Sequence, residues 1–341
     1  LQQMEWRKDD ALSAVYRLKE DYTAAYASFN ITLSKTTEAK AGLRYEHTNS
    51  NLGTVVVKNI VNRHYGNFFP SVFITHKLTE ISTIDFSYSR RITRPTFNAL
   101  APFTYYVNAN LVVTGNPTLQ PSVSDNLKAG FTFKKYLFSL SYSFDDKAIS
   151  GFQPASDSIT NKVIVTPQNL VNQKTVSLIF SLPFTITPWW NMQYNVTAIW
   201  QRVNALYKGT PVSLAKANFN ANAVQRFTLP KNFSAELSGF YQSAMLAGLG
   251  RTKPTGSLDV GLKKKLPGKG GALLFNATNI LNTSYFSANI NLPEQNLVGG
   301  ITFLYAFPTF KLTYTRSFGK EGLKEKRERK TGAEDEKNRV Q

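Results

Sequence analysis

His47, His64 and His76 are the only histidines of this 341-residue chain, and there is no cysteine to join them. Their spacing does not match that of a zinc or other metal site, which gathers clustered nitrogen, sulfur and carboxylate ligands. His47 follows Glu46, a pair able to move a proton as a hydrolase would need. No G-x-S-x-G motif supplies the strained nucleophile that such an enzyme uses. Gly268-Lys269-Gly270-Gly271 lacks phosphate-loop spacing and reads as a turn. The expectation is a protein without catalysis, metal or cofactor.

The chemistry on offer is hydrogen bonding by rows of polar side chains. Asn191, Gln193 and Asn195 are spaced by two, as are Lys216, Asn218, Asn220 and Asn222, with Arg226 further along. Residues two apart in an extended chain share a face, so each set forms one polar row. Arg44, Glu46, Asp85, Lys128 and Lys311 hold the same parity in their own segments. These are the candidate lining residues of a wet lumen, suited to water, solute or another protein segment.

The elements that must carry these rows are strands. Tyr136 to Asp145 reads Y-L-F-S-L-S-Y-S-F-D, with Phe138, Leu140, Tyr142 and Phe144 on one side and Ser139, Ser141, Ser143 and Asp145 on the other. Similar alternation predicts strands over 22–34, 38–46, 81–90, 126–133, 175–182, 190–201, 215–227, 233–241, 258–262, 273–277 and 310–318, with a mixed, weaker one over 65–76. The segment beginning at Trp190 exceeds the usual globular strand of about five or six residues. Trp189, Trp190 and Trp200 lie near its ends and Phe318 closes the final segment, as aromatics do at membrane interfaces. A soluble β-sandwich also alternates, but its outer face is more uniformly charged than these Ser, Thr, Asn and Gln rows.

Composition supports a membrane barrel. No apolar run approaches the roughly 18 residues a membrane helix requires. The net charge of +18 raises nucleic acid as a partner, yet the basic residues are scattered through strands and loops instead of gathered on one face. Membrane-boundary anchoring and lumen lining account for them without nucleic acid. The charged segment 319–341 has no apolar stripe and is expected to be a solvated periplasmic tail.

Connections alternate in length. Lys35-Thr37, Leu78-Glu80, Lys134-Lys135, Thr185-Pro188, Leu229-Asn232 and Leu266-Gly270 are short, whereas 49–63, 95–121, 147–168, 204–211, 246–254 and 279–308 are mostly much longer. Outer-membrane barrels place short turns in the periplasm and long loops outside. Residues 1–21 then belong to an extracellular loop, and 22–318 form an all-β, antiparallel up-and-down transmembrane barrel wall of about 13 or 14 strands. With thirteen, the first and last run the same way, which an antiparallel closure of even strand number does not allow. The chain is therefore expected to be the C-terminal part of a larger barrel, in keeping with a barrel of about 22 strands.

Tyr88-Ser89-Arg90-Arg91-Ile92-Thr93-Arg94-Pro95, then Ala101-Pro102-Phe103 and Gly115-Asn116-Pro117-Thr118-Leu119-Gln120-Pro121, resemble TonB-dependent outer-membrane receptors, and more narrowly the outer membrane protein β-barrel family of Bacteroidetes. Ala41-Gly42-Leu43-Arg44-Tyr45-Glu46, Asn276-Ala277-Thr278-Asn279-Ile280-Leu281-Asn282 and the tail Arg329 to Asp335 agree with this. The resemblance implies the outer membrane of a Gram-negative bacterium, with lipid and lipopolysaccharide around the wall. It further implies uptake of a nutrient cargo, a plug domain belonging to the same protein and an energy-coupling protein; neither the plug nor a coupling segment is found in these 341 residues. The alternative is a self-contained structural or porin-like barrel. On their own chemistry, Asn116, Pro117 and Pro121 read as loop shaping, and Arg90, Arg91 and Arg94 as an anchor at the membrane boundary.

Overall fold

The computed structural model describes residues 13–157, 162–268, 270–295, 297–316 and 339. In chain order the elements are β1 (Arg17–Ser34), β2 (Thr37–Gly53), β3 (Val61–Thr79), β4 (Ser82–Thr93), helix α1 (Phe97–Leu100), β5 (Thr104–Asn108) and β6 (Leu111–Thr114). There follow β7 (Ser122–Phe133), β8 (Tyr136–Asp146), β9 (Ile149–Asp157), β10 (Lys162–Asn169), β11 (Asn172–Thr187), β12 (Trp190–Tyr207), β13 (Thr210–Leu229) and β14 (Phe233–Gln242). The last are β15 (Leu246–Ala247), β16 (Gly250–Thr252), β17 (Thr255–Lys265), β18 (Ala272–Thr278), β19 (Phe286–Leu292), β20 (Leu297–Phe303) and β21 (Thr309–Thr315).

Thirteen of these strands form one sheet in the order β1-β2-β3-β4-β7-β8-β11-β12-β13-β14-β17-β18-β21. Every pairing within it is antiparallel. Following the alternation from β1, the two edge strands β1 and β21 point the same way. Among the described residues they do not pair with each other.

At one end of the sheet the connections are minimal. Lys35-Thr36, Lys134-Lys135 and Pro188-Trp189 each join neighbouring strands directly, and Lys134 takes φ +52° to turn the chain. Bulges near the turns, between Thr32 and Ser34, Lys77 and Thr79, and Thr185 and Thr187, absorb the odd residue.

Burial across this sheet is inverted relative to a water-soluble protein. Leu140, Leu178 and Phe219 are 49%, 43% and 44% exposed, while Ser139 and Asn218, on the opposite face, are 5% and 7% exposed. A water-facing sheet does not present row after row of Leu and Phe outward. Hydrocarbon accepts such a face because the sheet satisfies its own backbone hydrogen bonds. Paired Phe131, Phe138 and Phe180 continue the aromatic face across three strands, with ring centroids 6.3 and 5.7 Å apart.

Ordinary apolar cores exist, but at the outer end. Leu52, Val61, Leu100, Ala101 and Leu119 form one. Ala148, Leu170, Val203, Ala205, Tyr207, Val212, Leu246, Leu249 and Leu297 form the other. Both lie under the connections that the sequence predicts to be long loops.

Several of those loop expectations are corrected. Segments 95–121 and 147–168 are not irregular: β5, β6, β10 and β9 pair into a second sheet, with β6 and β10 parallel. Strands β15, β16, β19 and β20 from 246–254 and 279–308 build a third. Pairing across loops satisfies backbone groups that a long coil beside a buried core would strand. The predicted loop 204–211 is the turn Lys208-Gly209, both residues at positive φ (+49° and +81°), as a tight hairpin demands. Strand β1 begins within the segment assigned to an N-terminal loop. The weak strand over 65–76 lies within β3, one of the longest; its alternation is blurred because Phe69 and Phe73 share the polar face, opposite Arg44 and Lys40. Phe318 and most of the tail fall outside the described residues; Arg339 packs against β1 and the residues after β4.

Candidate functional site

Register places the predicted polar residues on one face. Thr185 faces Asn191, Asn191 faces Arg226, Arg226 faces Glu236, and the row runs through Gly261 and Asn276 to Lys311. Above it, Ser181 donates to Asn195 Oδ1 at 2.8 Å, and Asn195 faces Asn222. Gln193 faces Pro183 and Val224, while Asn218, Asn220 and Lys216 oppose Ile199, Thr197 and Gln201. Asp85 accepts from Thr75 Oγ1 at 2.8 Å, and Lys128 lies between Ser87 and Ser141. Arg226 and Glu236 make an ion pair at 2.9 Å.

The most organised part of that face is a charged cluster toward its outer end. Direct pairing lines up Glu20 with Ser50, Tyr22 with Thr48 and Ala24 with Glu46, then Glu46 with Asn67, Thr48 with Tyr65 and Ser50 with Arg63. Glu46 is buried and receives guanidinium groups from Arg44 and Arg94. Arg94 also donates to Thr48 Oγ1 at 3.1 Å and lies 4.7 Å from the centre of the Tyr22 ring. Burial pulls the Arg94 pKa down, but the neighbouring Tyr65 and Glu46 overcome this and raise it above the ordinary arginine value. Glu20 accepts from Ser50 Oγ at 3.0 Å and Tyr22 Oη at 2.5 Å, and Arg339 adds an ion pair at 2.8 Å. Burial favours the neutral acid, yet hydrogen bonds from Arg339, Tyr22 and Ser50 outweigh it and hold the Glu20 carboxyl below the usual glutamate range.

The three motif arginines separate. Arg90 leaves the polar face and forms a two-pronged pair with Asp125, both contacts at 2.9 Å, joined by the Tyr88 hydroxyl at 2.7 Å. Arg91 faces the other way, opposite Ser124. Only Arg94 enters the cluster. Pro95, just beyond it, is buried.

Residues Gly115 to Pro121 fasten the outer sheet to the wall. A Cβ on Gly115 would fall 2.1 Å from the Ala101 carbonyl oxygen, so the backbones meet only because glycine stands there. The Asn116 amide nitrogen of the backbone donates to Ala99 O at 2.6 Å, and its side chain donates to Pro167 O at 2.9 Å. Leu119 is fully buried. Arg63 donates to the carbonyls of Pro117, at 2.6 Å, and Leu119. Pro121 immediately precedes β7. Sequence reasoning missed Arg63, Glu20, Tyr22 and Thr48; the parity of Glu20 and Tyr22 with Ala24 was the available signal.

Two of the histidines share one acceptor and the third lies apart. His64 and His47 meet Asn49 Oδ1 at 2.7 and 3.2 Å, while His76 meets Thr37 Oγ1 at 2.8 Å. At the short-turn end, Trp189, Trp190 and Phe227 form a ring cluster with centroids 5.8 to 6.3 Å apart. Trp200, ten residues along β12 from Trp190, lies beneath Arg202, 5.3 Å away.

A thirteen-strand antiparallel sheet with an aromatic outer face and a polar inner row has a counterpart among protein families: the profile of the Outer membrane protein beta-barrel family matches residues 1–316. The chain belongs to that family. It is an outer-membrane β-barrel chain, and its solved likenesses are receptors and transporters. The ferric enterobactin receptor PfeA of Pseudomonas aeruginosa aligns at 18% identity and TM-score 0.51, covering 77% of this chain and 40% of the receptor. The copper transporter OprC aligns at 11% and TM-score 0.57, covering 79% and 43%. The FrpB iron transporter of Neisseria meningitidis aligns at 14% and 0.55, covering 80% and 43%. This outer-membrane chain thus spans about two fifths of their lengths. No curated protein matches it.

Proposed function

We propose that the chain supplies the C-terminal part of the wall of a TonB-dependent receptor that imports a nutrient across the outer membrane. The observation that carries this reading is the pair of edge strands, β1 and β21, running in the same direction. Thirteen antiparallel strands require an odd number of further strands to close, and about nine would complete a 22-stranded transporter barrel. In that barrel the polar face is the lumen, with Arg44, Glu46, Asp85, Lys128, the Asn and Gln rows, Lys216, Arg226 and Lys311 turned toward a plug, water and passing cargo. The aromatic face meets lipid, and the Trp189-Trp190 and Trp200 ends mark its two boundaries with lipid and lipopolysaccharide head groups.

The remaining strands and the plug lie upstream in the full-length protein, and an inner-membrane energy-coupling partner drives import through the plug. The names of the structural likenesses, two of them iron-related and one a copper transporter, support a scarce-nutrient cargo. Uptake by cells carrying or lacking the full-length protein, assayed with and without the coupling machinery, tests the reading. Passive, coupling-independent passage of small solutes would replace it with a porin-like barrel.

A further inference from the structure

We propose that Arg339 ties the C-terminal tail of this chain back onto the outer half of the polar face, in a pocket built by Glu20, Tyr22 and Pro95. Its guanidinium meets Glu20 twice, at 2.8 and 3.3 Å. It donates to the Tyr22 hydroxyl at 2.7 Å and to the Pro95 carbonyl oxygen at 2.8 Å. Its own carbonyl oxygen accepts from the Phe97 backbone N–H at 3.1 Å. Side chain and backbone are therefore both held.

The contact differs from an ordinary surface pair, whose worth is about 0–1 kcal/mol. The side chains of Arg339 and Glu20 are 15% and 13% exposed. Glu20 is also oriented by Ser50 and Tyr22, which face it from β2 and β1. Three acceptors set around one planar fork suit arginine and not lysine, since only the guanidinium offers donors in several fixed directions. Arg94 lies over the Tyr22 ring, 4.7 Å from its centre, and braces the residue that Arg339 contacts.

Chain length permits this contact. Thr315 pairs with Ala272 beside the short-turn end of the sheet, whereas Glu20 sits fourteen residues up β1 from Ser34. At about 3.3 Å per residue this is a climb of about 46 Å. The twenty-four steps from Thr315 to Arg339 can cover up to about 80 Å, ample for the climb. Because Glu20 and Tyr22 share the face of Glu46, Arg339 is held on the polar side of the wall. Arg339 is thereby assigned a docking role on the polar face of the wall.

Photocrosslinking tests this in the full-length protein within native outer membranes. A benzophenone side chain substituted at Phe97 is expected to capture a peptide containing Arg339. Arg339→Ala and Glu20→Gln should each reduce the yield at least tenfold, a change of about 1.4 kcal/mol, while heat-modifiable migration shows the barrel still folded. The proposal is overturned if the tail peptide is never captured, or if its yield is undiminished in either variant.

Discussion

Arg94, at the end of the fourth strand's run, reaches Glu46 on the second, and neither side chain is more than 9% exposed. The two are forty-eight residues apart in sequence. Their pairing joins the segment that leads into the outer sheet to the polar face of the wall.

Removing one member of this pair should therefore hurt more than removing both. Glu46→Ala leaves a buried guanidinium with its principal counter-charge gone, a loss of about 3–5 kcal/mol. Glu46→Leu combined with Arg94→Met should recover much of that. The temperature at which the folded band disappears in heat-modifiability gels gives the ranking; equal losses in both variants would contradict it.

The two faces of β8 provide a direct test of orientation. Leu140 lies about 13 Å above the Lys134-Lys135 turn, near mid-membrane, on the aromatic face. Leu140→Arg is expected to cost about 2–4 kcal/mol, whereas Ser141→Arg, one residue on and turned to the polar side, should cost much less. Folding yield into lipid vesicles of the full-length protein compares them.

At Gly115 the prediction is steric. Gly115→Ala drives a methyl into the Ala101 carbonyl, so the outer sheet must shift. Gly151→Ala is the control, since a Cβ there meets nothing within 4 Å. Protease added to intact cells should cleave the first variant's outer segments several-fold faster and leave the second unchanged.

The Glu20 pocket should respond to acid. Its carboxyl lies below the ordinary glutamate value, so the stabilisation it gives is fully present above that value and is lost as pH falls through the lower, folded one. Tail capture should be constant between pH 8 and 6 and decline below about pH 4.5. In Glu20→Gln it should be weak and insensitive over the same range.

The wall was readable from residue types because period-two alternation between Leu or Phe and Ser or Asn survives in almost every stave. Turn chemistry was equally legible at Lys134-Lys135. Where the reading failed, alternation was interrupted or read too locally. Phe69 and Phe73 place rings among polar side chains and obscured β3. The outer sheets depend on pairing between distant loops, such as Val112 with Ile164, which no local pattern announces. The same holds for the cluster: Glu46 and Arg94 were each visible, but the sequence holds no sign that they meet, and Glu20 and Arg339 lie at opposite ends of the chain.

Two opposite burial rules operate in one polypeptide. Within the staves, replacing Ser139 by leucine would work against the fold's logic, while in the outer cap replacing Leu119 by serine would do so. The mean hydropathy of -0.26 is the sum of these opposed patterns and describes neither. Substitution tolerance along this chain therefore follows height above the membrane, so a scoring scheme trained on water-soluble domains would rank variants correctly in the cap and backwards in the staves.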